Sequence, residues 1–193
     1  MAVPFFMVFT LHDSLATRLL ALFVFVIAGL TDLADGYLAR KNNMVTALGV
    51  FLDPLADKLI ITAAFIAFVD IPFLKIPSWM VVAIVGREFL ITGLRTVAAS
   101  RGVIVAADDG GKFKTAVQNT AIIIVLTELV VLSTWERVGI TPDTLRVAGG
   151  WKEVCVDTLT RLPYGLVWVA TVVSVWTGVN YVWKHRQLLK DAA

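Results

Sequence analysis

Charge and cysteine are both scarce in this sequence. Asp, Glu, Lys and Arg make up 17% of its 193 residues, below the ~25% of an ordinary soluble domain. Cys155 is the only cysteine, which excludes an intramolecular disulfide. The formal charge of +2 is too small to imply a nucleic-acid partner, so the basic residues are better read by position than by sum. No internal repeat or low-complexity tract occurs, and the opening "MAVPFFMVF" has no basic residue ahead of its apolar run. That opening reads as a piece of a membrane helix and not as a signal peptide. A single domain over residues 1–193 is the expectation at this length.

What is abundant is apolar surface. Hydrophobic residues reach 58%, against roughly 45–50% in soluble domains. Several runs approach the ~20 apolar residues that cross a bilayer. The runs predict an all-α, polytopic helix bundle with transmembrane segments at 3–11, 14–38, 46–69, 78–100, 113–133 and 163–183. The first is about half the required length. Backbone groups in lipid must be satisfied within a segment, which favours helices with short connections.

Basic residues then set an orientation. Arg40 and Lys41 follow the second segment, Arg101, Lys112 and Lys114 cluster around the fourth-to-fifth connection, and Lys184, Arg186 and Lys190 follow the sixth. In a six-segment arrangement these places share one side, and the positive-inside tendency makes it cytoplasmic. The expected location is therefore the inner (cytoplasmic) membrane, crossed several times. Residues 136–161 mix both signs and are expected to form an external loop with some amphipathic helix.

Four aspartates stand out against this background, in "DLADGYLARKNNMVTALGVFLDPLADK", residues 32–58. Asp32 and Asp35 are three apart, and Asp53 and Asp57 are four apart, so each pair shares one face of its helix. The polar turn "ARKNN" makes the two helices plausible neighbours that bring the pairs together. Carboxylates at membrane depth are costly and generally face a bundle interior or a wet cavity, and four of them together repel. A divalent cation resolves both problems: hard oxygen donors suit Mg²⁺, Mn²⁺ or Ca²⁺. Four carboxylates suffice for two ions able to clamp the oxygens of a phosphoryl transfer. The competing structural reading makes them helix-end charges neutralised by Arg40, Lys41 and Lys58; two facing pairs weigh against it. Gly36, Ala39 and Gly49 leave room for close packing or a flat group, and Pro54 should kink the third helix near Asp53.

These residues form a known pattern. Asp32-x2-Asp35-Gly36-x2-Ala39-Arg40-x8-Gly49-x3-Asp53-x3-Asp57 resembles, without a mismatch, the motif of the CDP-alcohol phosphatidyltransferases. "GREFLITGLR", from Gly86 to Arg95, and "GKFKT", from Gly111 to Thr115, are similar to the bacterial phosphatidylglycerophosphate synthase branch of that family. The resemblance covers most of residues 15–130. It implies that Asp32, Asp35, Asp53 and Asp57 hold two metal ions, Mg²⁺ first and Mn²⁺ as a substitute. Asp57 would also be the catalytic base toward the acceptor hydroxyl. Gly36, Arg40 and, more weakly, Thr46 would contact the CDP moiety. The implied reaction is attack of an alcohol on the diacylglycerol-bearing phosphorus of CDP-diacylglycerol, releasing CMP, in a homodimeric enzyme.

The acceptor is read from the basic residues of the later helices. Arg87, Arg95, Arg101, Lys112 and Lys114 could hold a phosphate on the acceptor, with Arg offering bidentate geometry. Membrane anchoring is the simpler account of Arg101 and Lys114 taken singly. Arg87 lies well inside its helix beside Glu88, so either the two pair or Arg87 faces the cavity. The branch resemblance favours sn-glycerol 3-phosphate; inositol phosphate and serine are the competing acceptors. An ion or proton transporter also uses buried acids, but distributes them along a path. A membrane prenyltransferase predicts more helices and a second acidic motif. Family members usually open with a polar Asn-x-Pro-Asn segment leading into a full first helix. This chain opens on "MAVPFFMVF", so either the start was placed too late or the segment is lost, and the resemblance implies that part of the nucleotide site goes with it.

Overall fold

A computed structural model of the chain describes the backbone of residues 3–42, 47–100, 109–141, 150–184 and 186. The side chains at 32–42, 47–57, 100, 109, 152 and 155 lie outside what it describes. Among the described residues the secondary structure is entirely helical: α1 (Val3–Leu11), α2 (Leu15–Asn42), α3 (Ala47–Val69), α4 (Ser78–Ser100), α5 (Asp109–Arg137) and α6 (Trp151–Lys184), with a short 3-10 turn at Pro72–Leu74. α6 packs along α4 and α5, α2 runs beside α5, and α1 lies across α2 and α3.

Apolar periodicity places the first four helices within a few residues of where they occur. α3 continues through Pro54 without a break. Two boundaries differ from expectation for identifiable reasons. α5 runs on to Arg137, where Gly139 adopts φ 81°. The amide of Gly139 then bonds the Glu136 carbonyl at 3.0 Å and that of Ile140 bonds the Trp135 carbonyl at 2.9 Å, the paired closure that ends a helix on a left-handed glycine. α6 begins at Trp151 and carries Pro163 in its interior. The apolar pattern predicts the sixth segment from 163, twelve residues after the observed start, so residues 151–161 of the expected external loop are the first part of α6. Of the rest of that loop, residues 142–149 lie outside the described residues.

α6 has 34 residues, ~51 Å of helix at 1.5 Å per residue, more than the ~30 Å hydrocarbon layer requires. Among the described residues two stretches are long and apolar enough to cross a membrane by themselves, Gly110–Arg137 and Val156–Lys184. Leu15–Thr31 and Lys58–Val69 are shorter apolar stretches, each adjoining an aspartate pair. The exterior suits lipid: Phe89 is 75% exposed and Val82 69%, which water tolerates poorly over a continuous surface.

The core occupies one half of the bundle. Phe6 and Phe25 stack at 5.9 Å, and they join Phe65, Phe68, Leu74, Met80, Ile84, Leu126 and Val167 in a single apolar cluster. At that end a buried guanidinium ties α2 to α5. Arg18 donates to the Leu129 carbonyl at 3.3 Å, to Ser133 Oγ at 2.5 Å and to Asp13 Oδ1 at 2.6 Å. On the other side Lys58 on α3, the stretch Arg87–Arg95 of α4, the first turns of α5 from Gly110 to Thr115, and Thr177 and Tyr181 on α6 surround a polar recess.

Candidate active site

The aspartate motif is spread over two touching helices. α2 and α3 are in contact and separated only by residues 43–46. Asp32 stands ten residues before the end of α2, and Asp57 ten after the start of α3. Asp35 stands seven before and Asp53 six after. At 1.5 Å of rise per residue, the outer two acids lie ~15 Å from the interhelical link and the inner two ~9–11 Å. Each pair has the spacing that shares a helix face. The side chains of Asp32, Asp35, Asp53 and Asp57, and those at Gly36 and Arg40, lie outside the described residues, as does Thr46 altogether. No other group of three or more His, Cys, Asp or Glu comes together among the described residues, so the metal expectation rests on the motif alone. Its donor set, carboxylate oxygen throughout, is the one a hard divalent cation takes.

One residue beyond Asp57 the described side chains begin, and Lys58 opens a basic recess of about 140 Å³. Its walls come from α3, α4, α5 and α6: Lys58, then Arg87, Glu88, Thr92 and Arg95, then Gly110, Gly111, Lys114 and Thr115, then Thr177 and Tyr181. Among the described residues of the lining, four cations thus face one carboxylate. Glu88 Oε1 accepts from Arg87 Nη1 at 3.3 Å and also from Lys114 Nζ. Arg87 Nη2 reaches Thr177 Oγ1 at 3.4 Å. Arg95 Nε donates to the Tyr181 hydroxyl at 3.3 Å, and its guanidinium carbon lies 5.5 Å from the ring centre. Lys58 Nζ donates to Thr92 Oγ1 at 2.6 Å.

Burial separates these residues from membrane anchors. Lys114 is 5% exposed, so it belongs to the recess and does not serve as an interfacial anchor. Arg87 does both things left open by its sequence: it pairs with Glu88 and lines the cavity. Its Nε is buried with no hydrogen-bond partner. The approach of α6 is part of this arrangement, because a Cβ at Gly178 would stand 2.7 Å from Arg87 Cγ. Only a residue without a side chain lets Arg87 cross there.

Arg87, Arg95 and Lys114 are therefore brought together as expected. Lys112 is exposed and outside the recess lining, and Arg101 lies outside the described residues. Lys58, Thr92, Thr177 and Tyr181 were not anticipated. Lys58 was visible beside Asp57, where it read as a neutralising charge. Thr177 and Tyr181 have no local signal, since they arrive on α6 from some ninety residues away. The first turn of α5 adds Gly110 and Gly111, whose backbone meets the recess with no side chain between. A helix N-terminus presents free amides and a partial positive charge to such a space.

The sequence pattern describing the CDP-alcohol phosphatidyltransferases matches residues 1–176.

This chain belongs to that family. As a CDP-alcohol phosphatidyltransferase it is a helical membrane protein of the family fold. It is 54% identical over 99 residues to the CDP-diacylglycerol–glycerol-3-phosphate 3-phosphatidyltransferase of Bacillus subtilis (strain 168), across 51% of this chain and 50% of that protein. The protein of the same name from Rickettsia felis is 40% identical over 183 residues, 94% of this chain and 87% of that one. A cardiolipin synthase (CMP-forming) of Oryza sativa subsp. japonica is 39% identical over 179 residues, 86% of this chain and 48% of that protein. The chain thus spans about half the length of the Bacillus and rice proteins and most of the Rickettsia one.

Proposed function

We propose that this chain transfers the phosphatidyl group of CDP-diacylglycerol to sn-glycerol 3-phosphate, giving phosphatidylglycerophosphate and CMP. The observation that carries the reading is the position of the basic recess, which starts at Lys58, one residue beyond Asp57 on α3. An acceptor bound there by its phosphate has its hydroxyl within reach of the motif. Among the described residues the recess carries three cations in excess over Glu88, a balance that favours an anionic ligand. The space is a few waters' worth at ~30 Å³ each, which suits a small phosphate ester.

In this reading Arg87, Arg95 and Lys114 bind the acceptor phosphate, with the α5 amides at Gly110 and Gly111 completing the anion site. Asp57 takes the proton from the acceptor hydroxyl as its oxygen bonds to the diacylglycerol-bearing phosphorus. The bridging P–O bond breaks and CMP leaves with that electron pair. Asp32, Asp35, Asp53 and Asp57 would hold two Mg²⁺ ions, whose bound charge would offset that of the pyrophosphate and the departing CMP. Gly36 and Arg40, on the stretch of α2 between the acids and the link, would meet the CDP. The six helices would sit in the bilayer with the recess toward the cytoplasm, where the basic helix ends gather.

The test supplies the purified full chain in detergent–lipid micelles with CDP-diacylglycerol and Mg²⁺. Glycerol 3-phosphate, inositol phosphate, serine or phosphatidylglycerol is the acceptor, and CMP and the lipid product are measured. CMP and phosphatidylglycerophosphate with glycerol 3-phosphate alone is the expected result. Turnover only with phosphatidylglycerol would make it a cardiolipin-forming enzyme like its rice relative, and no CMP with any acceptor would sink the enzymatic reading.

A further inference from the structure

A second concavity lies on the outer side of Arg87. It is a groove of about 500 Å³ between α4 and α6, lined by Gly86, Leu90, Val175, Val179 and Trp183 and closed at one end by Arg186, two residues past α6. Among the described residues its lining holds two guanidiniums and no carboxylate. Arg186 lies over the Trp183 ring, 5.3 Å from its centre, and both side chains are exposed. Arg87 lines this groove as well as the recess, so one side chain forms the partition between them.

We infer that this groove is a binding site for an anionic phospholipid, with an acyl chain lying along α4 and α6 and the headgroup phosphate met by Arg186. The chemistry of the lining selects that occupant. The apolar floor runs from Val175 to Trp183, ~12 Å of helix at 1.5 Å per residue, on the surface of a membrane protein where acyl chains are the solvent. A guanidinium at the end of such a run, stacked on an interfacial tryptophan, stands where headgroups lie. With two guanidiniums and no acid among the described lining residues, the groove attracts a phosphate. Depth at the floor comes from Gly86, where an added Cβ would meet no atom within 4 Å. A zwitterionic lipid fits the same floor but brings a cationic group toward Arg186. The inference stands apart from the transfer reaction, since binding in the groove requires neither substrate nor turnover.

The test uses the full chain in phosphatidylcholine nanodiscs containing a small, equal fraction of either phosphatidylglycerol or phosphatidylcholine with a diazirine in one acyl chain. After irradiation, lipid adducts are mapped by mass spectrometry. Adducts from the phosphatidylglycerol probe should concentrate on residues 86–90 and 175–183 and exceed those from the phosphatidylcholine probe by about tenfold, the scale of one guanidinium–phosphate contact. Arg186→Ala should remove the preference between headgroups, and Gly86→Leu, filling open space, should remove labelling by both probes. Labelling around Phe23 on α2 should be the same for both lipids and in every variant. Equal labelling of the groove by the two probes, or a preference that survives Arg186→Ala, would overturn the proposal. Chain-to-chain crosslinks through the groove in place of lipid adducts would overturn it too, in favour of a second copy.

Discussion

Lys114 on α5 and Glu88 on α4 form an ion pair whose side chains are 7% and 17% exposed. Because Glu88 also accepts from Arg87, a single carboxylate holds two of the four cations of the recess. Glu88→Gln removes the countercharge while keeping the shape. The expected result is a loss of about 2–4 kcal/mol, read as a lower melting temperature in detergent. An unchanged melting temperature would show that the pair does not hold α4 to α5.

Arg95 is tied to Tyr181 by its Nε and by its stacking on the ring. Arg95→Lys keeps the charge and loses the planar fork, so the acceptor KM should rise about tenfold with little change in kcat. Tyr181→Phe keeps the ring and loses only the hydroxyl contact, a neutral hydrogen bond worth about 1 kcal/mol, and should raise KM less. Steady-state kinetics with glycerol 3-phosphate varied separates the two.

Gly178→Ala places a methyl group 2.7 Å from Arg87 Cγ. Overpacking of this kind costs about 1–3 kcal/mol, and the displacement of Arg87 should raise the acceptor KM. Gly165→Ala on the same helix meets no atom within 4 Å and should stabilise α6 by about 0.5–1 kcal/mol. Equal effects from the two substitutions would contradict the close crossing.

Asp57→Asn should lower kcat by about 10²- to 10⁴-fold, the usual contribution of a general base. Helical content by circular dichroism should not change. Near-normal turnover would remove Asp57 from the base role without touching the acceptor site.

If the recess binds the acceptor and the motif the nucleotide lipid, as proposed, inorganic phosphate should compete with glycerol 3-phosphate and not with CDP-diacylglycerol. Weakening should be visible at millimolar phosphate and absent with an equal ionic strength of chloride. Inhibition competitive with the nucleotide lipid would place the anion among the aspartates.

The helices and the acid motif were legible because their signals are local: apolar runs for α1 to α5, and i, i+3 and i, i+4 spacing for the aspartates. The start of α6 was missed because residues 151–161 mix both charge signs and lack an apolar run, yet they continue the helix that packs along α4 and α5. The recess was half legible. Arg87, Arg95 and Lys114 drew attention as cations near apolar helices, but Lys114 could equally have been an anchor until its burial was known. Tyr181 has no distinguishing neighbour in sequence, and its role comes only from α6 folding back against Arg95.

On the proposed reading, the chain just after Lys58 divides two tasks. The transfer motif would lie before that point on α2 and α3, and apart from Lys58 the described recess lining follows on α4, α5 and α6. A chimera joined just after residue 58 is then the natural way to exchange one acceptor for another.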